Sequence, residues 1–244
     1  MKIKNALIVG AGFSGSVLAR ELAKKNIKVK VIDKRDHVGG NCHTKRDKKT
    51  GIMEHVYGPH IFNTKYKKIW NYVNYFGEFS NFTNRIKAST KKGIFSFPIN
   101  LHTINQFFEK KFSPLEAKKF IEKKRLKIKN PKNFEEQALS MFGEELYKEF
   151  FYGYTKKQWG VDPKSLPASV AKRIPMRFNY DDNYNKATYT GIPLSGYTNI
   201  IKKILNHKNI KVRLKSNLKI SMLSKFDHIF YSGEIDKFFK FKYG

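Results

Sequence analysis

The strongest constraint on this chain is the spacing of three glycines behind a short apolar run. Ala6 to Val9 is brief, apolar and suited to a strand buried in a parallel sheet. Gly10, Gly12 and Gly15 follow as G-x-G-x-x-G, and Ser16 to Lys25 then reads as a helix. A second apolar run, Val29 to Ile32, ends at Asp33, 23 residues after Gly10. Strand, glycine turn, helix, strand and acid in that register make a dinucleotide-binding unit. The first glycine permits a tight turn, the second lets the backbone approach a pyrophosphate, and the third brings helix and sheet together. The helix start then offers free N–H groups to phosphate, and Asp33 can accept from ribose hydroxyls. A secretory signal, with Lys2 and Lys4 before an apolar stretch, is the competing reading; it leaves the three glycines and Asp33 unexplained.

The next residues bear on which dinucleotide is bound. Lys34-Arg35-Asp36-His37-Val38-Gly39-Gly40-Asn41 puts a basic pair before two glycines. This is similar to the extension of FAD-binding flavoproteins rather than of NAD dehydrogenases. Gly39 and Gly40 could let a loop lie against phosphates or a flavin ring; an ordinary glycine turn is the alternative.

Composition excludes several classes. The 244 residues carry 49 Lys plus Arg against 20 Asp plus Glu, a net charge of +29. With 40% hydrophobic and 15% aromatic residues, the chain is too apolar for a disordered polycation. No apolar run approaches the roughly 20 residues that cross a bilayer. Only eight of the basic residues are Arg, the side chain favoured for bidentate reading of phosphate and bases, so no nucleic-acid partner is expected. One cysteine, Cys42, rules out an internal disulfide framework and fits a reducing, cytoplasmic setting. No metal site is expected.

Periodicity sets the organisation. Thr44 to Gly51 reads as an exposed loop or hairpin, Tyr66 to Tyr75 as a helix, and Arg85 to Pro98 as two strands around Lys91-Lys92-Gly93. Ser113-Pro114-Leu115-Glu116 combines a capping box with Pro at the first helical position, Asn133 starts a helix in the same way, and Glu144 to Tyr152 continues the helical pattern. Gly196 to Asn206 looks helical and Ile210 to Leu214 strand-like. Asp227 to Gly233 has the form of a returning strand able to rejoin the sheet begun at Ala6. The fold expected is α/β. A discontinuous Rossmann-like domain over 1–64 and 190–244 would carry an antiparallel sheet and substrate region over 78–98 and 166–189, with a helical domain over 99–165.

The middle of the chain holds further compact motifs. Tyr57-Gly58-Pro59-His60-Ile61-Phe62 puts a histidine among aromatics, either over a flavin ring or in an ordinary turn. Phe150-Phe151-Tyr152-Gly153-Tyr154-Thr155 runs into Gln158-Trp159-Gly160, and Arg173-Ile174-Pro175 follows. An indole can stack on a base and an Arg can clamp a diphosphate, although such aromatic density also suits a core.

Together these segments resemble the UDP-galactopyranose mutase family. The likeness runs through the glycine motif with Asp33, the Gly39-Gly40-Asn41 turn and Tyr57 to Phe62. It continues through Phe82-Thr83-Asn84, the Tyr-Thr-x-x-Gln-Trp-Gly block, Arg173-Ile174-Pro175 and Asp181 to Tyr184. Gly191-Ile192-Pro193, Gly196-Tyr197-Thr198 and Tyr231-Ser232-Gly233 complete it. The resemblance implies an isomerase interconverting UDP-galactopyranose and UDP-galactofuranose through a sugar adduct at N5 of reduced FAD. It assigns FAD binding to Gly10, Gly12, Gly15, Asp33, Lys34, Gly39, Gly40, Asn41, Tyr57, Gly58, His60 and Ile61, with His60 near the flavin. Trp159 would stack on uracil, with Asn84, Phe150, Phe151, Tyr154 and Thr155 shaping the uridine pocket. Tyr184 would contact the diphosphate side, and Arg173 would clamp the diphosphate and stabilise it as leaving group. A homodimer is expected by the same analogy.

The family is about half as long again, so a segment with a second diphosphate-binding Arg, two tyrosines on the diphosphate and a terminal flavin-binding stretch is expected to be missing, and activity of this polypeptide alone with it. Two other readings differ in what they bind. A non-catalytic basic module on a decayed flavoprotein scaffold would bind duplex DNA with steep salt dependence and no flavin. An ordinary FAD oxidoreductase would transfer hydride from a carbon substrate but leaves the Tyr-Thr-x-x-Gln-Trp-Gly block without a role.

Overall fold

The computed structural model describes residues 3–184 and 187–242. It divides into two compact units, Met1–Phe82 with Ala187–Gly244, and Thr83–Lys186.

The first unit is organised by a four-stranded parallel sheet in the order Ile210–Arg213, Lys28–Ile32, Asn5–Val9, His228–Tyr231. Asn5–Val9 is central and apolar, and Ala6, Leu7 and Ile8 are buried. Its pairing with the returning strand aligns Ala6 with His228 and Val9 with Tyr231. Polar contacts pin both ends of that pairing. The Asp227 carboxylate accepts from the Lys4 and Asn5 amides at 2.7 and 3.0 Å, and the Ser232 hydroxyl donates to the Val9 carbonyl at 2.7 Å. Helix Phe13–Lys24 lays Ala19 and Ala23 into the core shared with Ile201 and Leu205 of helix Tyr197–Leu205. Small residues on the first helix let it lie close to the sheet and to the second helix.

The expected loop or hairpin after Thr44 is a hairpin, Thr44–Arg46 against Met53–His55. A small antiparallel sheet places Tyr189–Pro193 between Phe62–Thr64 and Phe79–Ser80. The Trp70 ring of helix Lys67–Phe76 stacks on Tyr189 at 5.7 Å and covers this sheet.

The second unit joins the hairpin Ile86–Thr90 and Gly93–Phe97 to a helical cluster. Helix Pro114–Lys124 begins with the expected box: Ser113 and Glu116 cap each other's backbone amides, and Pro114 fills the first turn. Asn133 starts its helix differently. Its side chain accepts from the Glu136 amide at 3.0 Å, but the Glu136 carboxylate turns to the Lys132 amide at 2.8 Å. The stretch from Glu144 also departs from a plain helix. One turn, Glu144–Leu146, widens into a π-helical segment, Tyr147–Tyr152, which runs into helix Gly153–Trp159. The wider turn changes the helical phase so that Tyr147, Phe150 and Phe151 are all buried.

Phe142 stacks on Phe151 at 4.5 Å between ring centroids, and both lie in the core of this unit. Phe142→Ala removes that support and should cost about 3–5 kcal/mol, the range for a truncated core aromatic. Urea unfolding measures it; a loss under about 1 kcal/mol would mean that Phe151 is held by other contacts.

Candidate functional site

In the first unit the glycine loop, the end of the second strand and the segment after Arg213 enclose a cavity of about 850 Å³. Gly10, Gly12, Asp33, Lys34, Gly40 and Asn41 line it, as do Arg35, Ser216, Asn217 and Ser232. The glycines have different reasons to be glycine. Gly10 has φ of +113°, and a Cβ there would stand 2.1 Å from the Ser232 hydroxyl oxygen. A Cβ on Gly15 would stand 2.0 Å from the Gly10 carbonyl oxygen. These two are demanded by the fold itself. Gly12 is not: its φ is −77°, and a Cβ would meet only the Gly40 Cα, at 3.8 Å. The bare backbone at Gly12 is open toward the cavity, which is what a group approaching from outside needs. Gly12 also caps helix Phe13–Lys24 without a side-chain hydrogen bond, so the first-turn amides lack a side-chain cap.

Asp33 is 8% exposed, and both its oxygens are engaged. One accepts from the Ala11 amide at 2.8 Å, the other from the Arg35 amide at 2.9 Å. It therefore holds the glycine loop to the second strand, and each oxygen keeps further acceptor capacity. The Gly39-Gly40 turn closes on this loop. The Gly39 amide donates to the Ala11 carbonyl at 2.9 Å, and a Cβ on Gly40 would lie 3.1 Å from the Gly12 Cα. Arg35 donates to the Asn41 side-chain oxygen at 2.9 Å and lies 4.4 Å above the Tyr57 ring.

Tyr57, Gly58, His60 and Ile61 do not line this cavity, nor do Gly15 and Gly39. Tyr57 is tied to it through Arg35 and through its hydroxyl, 2.8 Å from His37 Nε2. His60 has Nδ1 at 2.8 Å from the Gly58 carbonyl, and its own carbonyl accepts from the Tyr197 hydroxyl at 3.1 Å. Sequence reasoning missed Ser216 and Asn217. Ser216 arrives because its amide donates to the Asp33 carbonyl at 2.8 Å, across a sequence gap that no local pattern bridges.

The second unit holds a cavity of about 1100 Å³. Phe150, Phe151, Tyr154, Thr155, Trp159, Arg173 and Tyr184 all line it. Asn84 does not; its carbonyl accepts from the Tyr184 amide at 2.9 Å. Phe150, Phe151 and Thr155 form a buried floor, whereas Trp159 is 47% exposed at the rim. Gly160, in the left-handed conformation at φ of +69°, ends the helix directly after that indole. Lys87, Lys172, Arg173 and Arg177 bring four cations to the wall, and among the described residues no Asp or Glu lines it. Arg173 follows helix Ala168–Lys172, which Pro175 keeps short, and its guanidinium has no hydrogen bond or ion pair among the described residues. Lys87 and Arg177 were not foreseen. Arg177 sits four residues after Arg173, but nothing local signals its burial.

Among the described residues no group of three or more His, Cys, Asp and Glu is placed to hold a metal, and no helix is long and apolar enough to cross a membrane.

The Gly39-Gly40 turn carries a pH response. His37 and His43 stack at 3.6 Å on either side of it, and His43 Nδ1 sits 3.0 Å from both the Val38 carbonyl and the Thr198 hydroxyl. Burial holds the His43 imidazole below its ordinary value of 6.5, and burial also lowers His55. Such a group takes up its proton on unfolding, so its stabilisation is complete above pH 6.5 and lost as the pH falls below that. The melting temperature should therefore drop on acidification from about pH 7.5 to 5.5. His43→Asn should flatten the drop, with the remainder due to His55; an unchanged slope would contradict the assignment.

Comparison with known proteins agrees with this geometry. Residues 8–76 match the model of an NAD(P)-binding Rossmann-like domain, and residues 149–244 match that of UDP-galactopyranose mutase. A dTDP-fucopyranose mutase of Escherichia coli is 51% identical over 249 residues, covering 99% of this chain and 66% of that protein. A probable UDP-galactopyranose mutase of Klebsiella pneumoniae is 52% identical, covering 100% and 64%. The chain thus spans a little under two thirds of the length of these curated relatives. A crystal structure of reduced UDP-galactopyranose mutase matches the fold with a TM-score of 0.64, at 18% identity, over 86% of this chain and 48% of that one. A Rossmann-like dinucleotide-binding fold, a mutase match over the C-terminal part and relatives at half identity along the whole chain agree: the chain belongs to the UDP-galactopyranose mutase family.

Proposed function

We propose that this chain carries the FAD site and the nucleotide site of a flavin-dependent isomerase that interconverts UDP-galactopyranose and UDP-galactofuranose. The observation that carries the reading is the second unit's cavity: stackable aromatics and four cations in its wall, with no carboxylate. A pyrimidine nucleoside diphosphate needs that pairing of a π surface with positive charge, and Arg173 offers its charge free of any ion pair among the described residues. The first unit supplies a cradle that fits a dinucleotide, because Gly12 and the first-turn amides are left bare toward it.

Each residue then has a role. Trp159 stacks on the base, while Phe150, Phe151 and Thr155 form the floor beneath it. Arg173 meets the diphosphate with its fork of N–H donors and stabilises the negative charge that builds as the sugar departs. Gly10, Gly12 and Gly15 bring the helix start to the cofactor's pyrophosphate, and Asp33 faces its ribose. Lys34, Gly40 and Asn41 border the same cradle, Gly39 ties their turn to Ala11, and Tyr57 to Ile61 place His60 near the ring system. When bound, FAD in its reduced form supplies the nucleophilic centre for the ring contraction. A lone cysteine favours a cytoplasmic setting.

A second substrate reading has its own support. The Escherichia coli relative, a dTDP-fucopyranose mutase, is as similar as the Klebsiella one. A dTDP-sugar offers the same pyrimidine face and diphosphate, so the two readings share a site and differ in base and sugar.

Titration with UDP and with dTDP tests both. Wild type should bind at least one of them, and Trp159→Ala should weaken that binding by about 1–3 kcal/mol, the worth of a stacked base, while flavin content stays unchanged. Affinity untouched by Trp159→Ala would remove the base-stacking assignment, and preference for dTDP would favour the fucopyranose reading.

A further inference from the structure

Arg177 stands apart from the other cations of the nucleotide cavity. It is 5% exposed, and a buried guanidinium is costly unless its donors are matched. Nη1 is fully used: it donates to the Asp181 carbonyl at 3.0 Å and the Asn183 carbonyl at 2.6 Å, and lies 3.3 Å from the Asp181 carboxylate. Nε and Nη2 are buried without a partner among the described residues, as is the side-chain oxygen of Asn183. Two of the three guanidinium nitrogens therefore gain no hydrogen bond there, while the third grips two backbone carbonyls of one turn. Such an arrangement is poor as a stability device and well suited to fixing the position of what the turn carries.

The turn carries Tyr184. Arg177 is itself fixed, because its amide donates to the Ile99 carbonyl at 3.0 Å while the Leu101 amide donates to the Asn179 carbonyl at 2.9 Å. Within the turn, Asn179 accepts from the Asp181 amide and Asp181 from the Asn183 amide, each at 3.1 Å. From the hairpin side, the Asp182 carboxylate meets Arg85 and Lys87, each at 3.4 Å, and Ser96 at 3.3 Å. The Tyr184 amide donates to the Asn84 carbonyl at 2.9 Å. The ring that emerges from this scaffold is 46% exposed at the cavity wall.

We propose that Arg177 is a positioning residue for the nucleotide site, holding the Asp181–Asn183 turn so that Tyr184 stands preformed at the cavity wall. This rests on the nucleotide reading of the cavity. The two arginines thereby divide the work of the site. Arg173, unpaired among the described residues, meets the ligand, and Arg177 never touches it.

The test combines affinity with amide exchange. Arg177→Met should speed exchange of the Asn183 and Tyr184 amides and weaken UDP binding by about tenfold, the loss of one or two backbone-fixing hydrogen bonds. Arg177→Lys should restore both, because a single nitrogen makes every contact that Arg177 has. In a Tyr184→Ala background the Arg177→Met change should have no further effect on UDP affinity, a non-additivity that a purely structural role would not produce. Unchanged exchange and affinity in Arg177→Met, or full additivity with Tyr184→Ala, would overturn the proposal. Should Arg177→Met fail to fold, Arg177→Lys alone decides, since a tenfold loss there would also refute it. If wild type binds neither UDP nor dTDP, the nucleotide reading fails by itself, and the exchange comparison still judges whether Arg177 fixes the turn.

Discussion

The first unit depends on one pairing: the strand Asn5–Val9 lies parallel to a strand more than two hundred residues later. That pairing seats Ser232 directly behind the glycine loop. Its hydroxyl donates to Val9, and its oxygen occupies the space where a side chain at Gly10 would have to go. The loop's shape is thus set jointly by a local motif and by a remote serine. Without the returning strand, Asn5–Val9 would present an unpaired edge and the Gly10 turn would lose the surface it packs on.

Once the loop is fixed, its glycines separate into two kinds. Gly10 and Gly15 are required by contacts inside the protein, whereas Gly12 could carry a methyl group without a clash. No contact among the described residues requires glycine there, which supports the proposed cradle. The same logic applies to charge in the second unit. Four cations share a wall that no acid lines among the described residues, and Arg177 commits one nitrogen to the carbonyls and carboxylate of one turn. A surface that leaves Arg173 unmatched among the described residues, beside an exposed indole, supports the proposed anionic aromatic ligand.

Much of this was legible in the sequence, for identifiable reasons. The parallel core could be read because apolar runs of four or five residues, glycine spacing and Asp33 are local signals, and Asp227 to Gly233 repeats the strand pattern. Helix starts at Ser113 and Asn133 followed from capping chemistry, although where Glu136 sends its carboxylate depends on the fold. The π-helical widening at Tyr147–Tyr152 was not legible, because its cause is the packing of Phe150 and Phe151 against a core built from other segments. For the site, the aromatic block and Arg173 could be read as a nucleotide pocket. Ser216, Lys87 and Arg177 could not, since each joins a cavity through contacts that are distant in sequence or through burial that composition does not reveal. Asp33 was read as a ribose acceptor; what the structure shows of it is a hold on the Ala11 and Arg35 amides.

If the cavity beside Gly12 is the flavin cradle proposed above, the visible absorbance of the purified chain beside its Gly12→Ala variant, each after incubation with FAD, will show it. The wild type should give a bound-flavin spectrum, lost in a variant whose melting temperature is little changed. Absence of flavin from the wild type, or full retention in Gly12→Ala, would contradict it.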